Sequence, residues 1–185
     1  MKNNKVILWT SFCVLLIITF ISIARCSTVP FRHQRLIAWI YGAEFIDVVG
    51  VILQSKNNNC GPTALKMIFD RYGIEISLEE IEQKVQLHTN GSSMLSLKSV
   101  AQAKGLKTEG WRLSLIDLMN VTFPILLFIH QNHFVVADSI DKNDNLYLRD
   151  PSLGRLKIAK ERLPNIWTGE TLLFRYQNDT RQGLQ

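Results

Sequence analysis

One thiol stands apart in this sequence. Cysteines occur at positions 13, 26 and 60, and of these Cys60 alone lies clear of the apolar N-terminus. It sits in Asn59-Cys60-Gly61-Pro62, which predicts a helix start with Pro62 in the first turn and Gly73 as the stop. A helix N-terminus carries partial positive charge and favours the thiolate, the nucleophilic form of cysteine. The small neighbours Asn59 and Gly61 leave room around the sulfur, where a structural cysteine would have apolar bulk. Cys60 is therefore the candidate nucleophile.

A nucleophilic thiol needs a base, and the base needs an orienter. Among the four histidines, His33 lies near the apolar N-terminus, His88 in a polar loop, and His130 reads as a satisfied turn residue. His133 opens the run HFVVADSI, and a strand end presents an imidazole well. A hairpin turning over residues 141–144 places Asp150 opposite Val135. His133 and Asp150 are then diagonal neighbours, about 7–8 Å apart between backbones, an arrangement that a one-residue slip would break. Gln54 lies six residues before Cys60. Its amide and the Cys60 backbone N–H would supply two donors to an oxyanion. The expected catalytic set is thus Cys60, His133, Asp150 and Gln54.

No cofactor is expected. The cysteines and histidines lack zinc-ligand spacing. Asp141, Asn143 and Asn145 begin like a calcium loop, but Leu146 replaces the required glycine and Ser152 the final glutamate, which leaves a hairpin turn. No phosphate-cradling G-x-x-x-x-G-K-[ST] loop is present, so ATP is not an expected ligand.

The elements that must position these residues fall in two blocks. Ala64, Leu65, Ile68, Phe69 and Tyr72 form a helical stripe after Cys60. Ser77 to Glu80 has the form of a capping box opening a second helix, and a third is expected from Ser93 to Lys104, closing on Gly105. Strand-like runs then follow at 123–130, 133–140, 146–150, 155–158 and 170–176. Helices first and an antiparallel sheet second predict an α+β domain over residues 51–176. Trp111, Trp167 and Phe174 read as core or groove wall, and Lys157, Lys160, Glu161 and Arg162 as a solvated helix face.

Before the domain, residues 6–24, from Val6 to Ala24, carry no charge and follow a basic head at 1–5. Their length suits a membrane-spanning helix and exceeds the usual apolar core of a cleaved signal. A retained anchor is the favoured reading. Cleavage near Ser22 and Ala24, giving a secreted domain, stays open. Lys2 and Lys5 nearly balance Arg25, Arg32 and Arg35, and the short head places the domain on the outer side of the membrane. Residues 25–50 read as a linker, with a short helix near 36–41, and 177–185 as a polar tail. The net charge of +5 is scattered rather than striped, which argues against a nucleic-acid partner.

Set in order, these residues resemble the bacteriocin-processing cysteine peptidases, the double-glycine leader peptidase domains of bacterial peptide exporters. The resemblance rests on Gln54 six residues before Cys60-Gly61, Tyr72-Gly73, residues 91–97 and 103–106, and His133-Phe134-Val135-Val136. Asp150-Pro151 with Gly154, Trp167-Thr168-Gly169 and Leu172-Leu173 complete it. It implies a papain-like fold and cleavage after Gly-Gly, with Cys60 as nucleophile, His133 as base, Asp150 as orienter and Gln54 as oxyanion donor. Two features depart from it. Asn59 stands where the family often has aspartate, and no exporter or ATPase part accompanies the domain. A separate peptide exporter is thus a candidate partner. Two other readings stay open: a papain-like amidase or transpeptidase acting on cell-wall peptide, and a non-catalytic peptide-binding accessory of an exporter.

Overall fold

The computed structural model describes residues 31–177; the expected head, the apolar stretch at 6–24 and most of the polar tail lie outside them. No described helix is long and apolar enough to cross a membrane. The elements run α1 (Arg32–Ile40), β1 (Ala43–Phe45), α2 (Cys60–Arg71), α3 (Leu78–Lys84), α4 (Met94–Ala103), β2 (Leu106–Arg112) and α5 (Leu115–Leu118). They continue with β3 (Ile125–Ile129), β4 (His133–Ile140), β5 (Asn145–Asp150), β6 (Gly154–Ala159), a 3₁₀ turn (Lys160–Asn165) and β7 (Trp167–Tyr176). The seven strands form one antiparallel sheet in the order β1-β6-β5-β4-β3-β7-β2. This is the expected α+β class, in a papain-like arrangement.

The local signals explain most boundaries. Helix α2 stops where Gly73 takes φ +66°, a conformation that costs a residue without Cβ little. The Ser77 hydroxyl accepts the Glu80 N–H at 3.0 Å to open α3, but the Glu80 carboxylate turns to Lys104 at 3.0 Å instead of closing the box. Ser93 caps α4 in the same way, accepting from the Ser96 N–H at 3.0 Å.

Apolar residues cover both faces of the sheet. On one face, Leu126, Phe134, Val136, Leu172 and Phe174 pack against Leu65, Ile68, Phe69, Ile81 and Leu97 of the helices. On the other, Ile125, Leu127, Ile129, Val135, Ala137 and Leu173 meet Ala38 of α1, Leu118 of α5 and Leu163 of the 3₁₀ turn. This double cover is why the run through β3 is continuously apolar rather than alternating. Burying such a side chain contributes about 1.5–3 kcal/mol, against about 0.3–0.5 for an exposed i,i+4 pair such as Lys66–Asp70. Packing, not surface charge, holds α2 on the sheet.

Four expectations change. Residues 25–50 are not simply a linker, because α1 buries Ala38 and β1 pairs with β6 as an edge strand of the sheet. Strand β2 went unread, since LKTEGWR has neither alternation nor an apolar run and forms only by pairing with β7. Trp111 lies on β2 and is 44% exposed, whereas Trp167 and Phe174 are core. In addition, Lys157 lies in β6 facing Glu44 at 2.8 Å rather than on a helix.

The β4–β5 hairpin reaches its register by an indirect route. Closing the turn over 141–144 would pair Ile140 with Asn145, but Ile140 pairs with Leu146. Asp141 organises the longer turn, its carboxylate accepting the N–H groups of Asn143 at 2.8 Å and Asn145 at 3.0 Å. A bulge between Ala137 and Ser139 then restores the shift, so that Val136 pairs with Arg149 and Asp150 comes level with Val135. Asp138, the bulged residue, is held by two 2.7 Å bonds from Arg149.

Gly61 marks a close approach of α2 to the Ser92 loop, α4 and β4. A Cβ there would lie 2.2 Å from Ser92 Oγ and 3.1 Å from both Leu97 Cδ1 and Phe134 Cδ2. Gly61→Ala should cost about 1–3 kcal/mol of stability by overpacking, and should slow Cys60 alkylation by displacing β4. Urea unfolding and thiol kinetics on the variant test this; unchanged values in both would show that the contact relaxes without cost.

Candidate active site

Cys60 is the first residue of α2 and the free cysteine among the described residues. The residue before it does not cap the helix with its side chain. Asn59 is wholly buried, and its amide is committed elsewhere: Oδ1 accepts the Lys56 N–H at 3.2 Å, and Nδ2 donates to Glu82 Oε1 at 2.7 Å. Lys56 closes the group by pairing with Glu82 at 2.5 Å. The first N–H groups of α2 are thereby left for other acceptors. One of them, from Gly61, reaches the Cys60 sulfur, as does the Phe134 N–H from β4.

The thiol is less open than its small neighbours suggest, with Cys60 only 6% exposed. Burial raises its pKa, but the hydrogen bond and charge of His133 and the two backbone N–H groups outweigh burial, and the net shift is below the ordinary 9.0. Burial also disfavours the His133 imidazolium. Hydrogen bonds to Asp150 and Cys60, with their charges, overcome that and push His133 up to about 10. The two shifts describe one thiolate–imidazolium pair.

His133 Nε2 lies 2.8 Å from Asp150 Oδ1, which leaves Nδ1 for the sulfur. His133 is the first residue of β4 and Asp150 the last of β5. By alternation both belong to the sheet face opposite α2, so they meet Cys60 only because the strands end there. Asp150 is wholly buried, and its Oδ1 also accepts N–H groups from Ser152 at 2.7 Å and Leu153 at 3.2 Å. The following turn is fixed by Gly154 at φ +117°, where a Cβ would sit 2.6 Å from the Asp47 carbonyl oxygen.

Gln54 reaches the same turn. Its N–H donates to the Pro151 carbonyl at 2.8 Å, its Nε2 donates to the Lys56 carbonyl at 3.0 Å, and its Oε1 accepts from the Ser152 hydroxyl at 2.9 Å. One amide N–H remains for another acceptor. The structure thus joins Cys60, His133 and Asp150 directly and brings Gln54 to the Asp150 turn. The other histidines stay out of this cluster. His88 bridges to Gly91, and His33 lies on α1. His130 stacks on Tyr41 at 4.2 Å with Nε2 buried and without a partner among the described residues, so it is not the satisfied residue expected. Sequence reasoning missed the Phe134 N–H and Ser152, both of which act through folded geometry rather than residue type. Among the described residues no group of three or more His, Cys, Asp or Glu could hold a metal.

This fold and this arrangement of thiolate, imidazole and carboxylate define a papain-like cysteine peptidase. The match to the Peptidase C39 family runs over residues 49–179, and the chain belongs to that family. A crystallised double-glycine-motif protease from an AMS/PCAT transporter, solved with its leader peptide, is 30% identical, with a TM-score of 0.65 over 68% of this chain and 90% of its own. The probable microcin-H47 secretion/processing ATP-binding protein MchF of Escherichia coli is 31% identical over 124 residues, 67% of this chain but 18% of that much longer protein. An uncharacterised protein of Methanothermobacter thermautotrophicus is 29% identical over 123 residues, 66% of this chain and 86% of its own.

The paired shifts fix the expected pH dependence of the thiol. In the full chain with Cys13→Ser and Cys26→Ser, iodoacetamide should modify Cys60 faster at neutral pH than it modifies an ordinary thiol, slowing as falling pH protonates the thiolate. Above about 10 the imidazolium is lost and with it the pairing. His133→Ala should raise the Cys60 pKa and slow alkylation at neutral pH, because burial is then opposed only by the two backbone N–H groups. An ordinary profile in the wild type would exclude the ion pair.

Proposed function

We propose that this peptidase cleaves after Gly-Gly pairs in leader peptides. The observation that carries the reading is the buried, hydrogen-bonded Cys60–His133–Asp150 set, supported by likeness to a double-glycine-motif protease crystallised with its leader peptide.

The Cys60 thiolate attacks the scissile carbonyl carbon, and the carbonyl electron pair moves onto oxygen. The free N–H of Gln54 and the Cys60 backbone N–H receive that charge. Collapse breaks the C–N bond as His133 gives its proton to the leaving amine, leaving a thioester. Water then attacks the thioester, His133 takes its proton, and the carboxylate product and thiolate separate. Asp150 holds the ring so that Nδ1 faces sulfur in every step. A site of two Gly residues suits a thiol recessed behind Phe134, because glycine brings its carbonyl close without side-chain bulk.

Fluorogenic peptides ending in Gly-Gly before the reporter amide should be cleaved, and Ala in place of either Gly should lower kcat/KM at least tenfold. Cys60→Ala should abolish turnover, and Gln54→Ala should lower kcat by about ten- to a thousand-fold with folding intact. Equal cleavage of Ala-Ala peptides would remove the double-glycine assignment while leaving the peptidase.

We also propose that residues 6–24 remain in the membrane, with the domain on its outer side and a separate exporter delivering its substrate. Supporting this, α1 exposes Leu36, Trp39 and Ile40 on one side, at 55%, 74% and 59%. That apolar side carries Trp and lies near Arg35, a composition suited to a lipid interface. A C-terminal phosphatase fusion should be active only outside the cytoplasm, and N-terminal sequencing of the mature protein should find residue 1. Sequencing that begins at Arg25 would make it a secreted protein instead.

A further inference from the structure

Among the described residues, the side chain that hydrogen-bonds the Gln54 amide from the Asp150 turn is that of Ser152. Its backbone N–H donates to Asp150 Oδ1 at 2.7 Å, while its hydroxyl donates to Gln54 Oε1 at 2.9 Å. A single residue therefore contacts both the orienter of the base and the group assigned to the oxyanion. We propose that Ser152 is a positioning residue, whose hydroxyl holds the Gln54 amide in the plane and orientation needed to stabilise the oxyanion. The inference rests on the oxyanion role assigned above to Gln54 and adds the device that keeps that amide in place.

The reason lies in what a glutamine amide can do when unrestrained. It turns freely about its terminal bond, and in the reversed orientation Oε1 rather than Nε2 would face a developing negative charge. One bond opposes reversal, and a second opposes swinging about it. The Lys56 carbonyl, an acceptor only, must face Nε2 at 3.0 Å. The Ser152 hydroxyl engages the opposite end of the amide at Oε1. With both ends held, the remaining N–H has one direction. With only Lys56, the amide can swing about that bond, and a donor must be ordered anew at each turnover.

The two contacts of Ser152 can be separated experimentally. The Asp150 contact runs through the backbone and survives removal of the hydroxyl. The loop itself stays beside the turn through the Gln54 N–H to the Pro151 carbonyl, 2.8 Å. Ser152 is exposed, so truncation opens no cavity. Ser152→Ala should therefore fold normally and act on Gln54 alone.

The test measures hydrolysis of a fluorogenic Gly-Gly peptide amide by the full chain, in wild type, Ser152→Ala, Ser152→Thr, Gln54→Ala and the double variant Gln54→Ala/Ser152→Ala. Ser152→Ala should lower kcat roughly two- to tenfold, the scale of one net hydrogen bond, with KM within about a factor of two. Ser152→Thr, which keeps the hydroxyl, should recover most of it. In the Gln54→Ala background the serine change should have no further effect, because the group it positions is gone. The pH profile of Cys60 alkylation should be unchanged in Ser152→Ala. Equal losses from Ser152→Ala with and without Gln54 would overturn the proposal, as would a shifted alkylation profile, which would mean that the serine acts through Asp150. Turnover lowered by Gln54→Ala but untouched by Ser152→Ala sinks the positioning role and leaves the oxyanion role standing. Turnover untouched by Gln54→Ala removes the oxyanion role and this inference with it.

Discussion

The bond between His133 Nε2 and Asp150 Oδ1 makes demands on nearly every other part of the molecule. A carboxylate that is wholly buried is costly unless its oxygens are satisfied and a cation stands by. Here Oδ1 takes two backbone N–H groups besides the ring, while Oδ2 is buried without a hydrogen-bond partner among the described residues. The cation carries the compensation: the ring is held protonated by sulfur on one side and carboxylate on the other. Neither the turn after β5 nor the start of β4 can shift without leaving part of that charge unpaired. The sheet register, the Asp138 bulge and the close approach at Gly154 all serve to keep these two strand ends together.

Cys60 comes from the other side of the sheet under a different constraint. Helix α2 keeps its N-terminus free of side-chain capping. Asn59 meets this by turning inward to Lys56 and Glu82, and the same cluster fixes the carbonyl of Lys56 that receives the Gln54 amide. Glu82 stays charged there: burial works against it, but its bonds from Lys56 and Asn59 prevail and lower its pKa. The neutral amide at Asn59 therefore sits beside a carboxylate without repulsion. Packing at Gly61 then sets the depth at which sulfur lies against β4.

Much of this was legible along the chain, for identifiable reasons. Helix α2 carries a glycine stop and an apolar stripe, and α3 and α4 carry serine caps, so local sequence defines them. Cys60 and His133 stand out because a polar or reactive side chain at an element's first residue has few structural uses. The pairing of His133 with Asp150 was reached through a hairpin drawn without its bulge. The turn is one residue longer on the β5 side than drawn, and the bulge at Asp138 cancels that difference before the site. Residue types alone do not announce a bulge, since it forms where the ladder and the twist of neighbouring strands require it.

What the sequence by itself determined is the chemistry and the class: a lone thiol at a helix start, an imidazole at a strand start, a carboxylate within one hairpin, and helices before strands. Tertiary structure alone decided that α1 packs on the sheet and β1 joins it, that LKTEGWR is a strand, and that both faces are covered. It also decided which groups surround the thiolate, because the Phe134 N–H, the Asn59–Glu82 contact and the Ser152–Gln54 contact join residues 23 to 98 positions apart or lie in the backbone. Local patterns encode torsional preference and burial, which act over a few residues. Hydrogen bonds between distant segments have no such trace, because any chain segment can supply the donor once packing has brought it there.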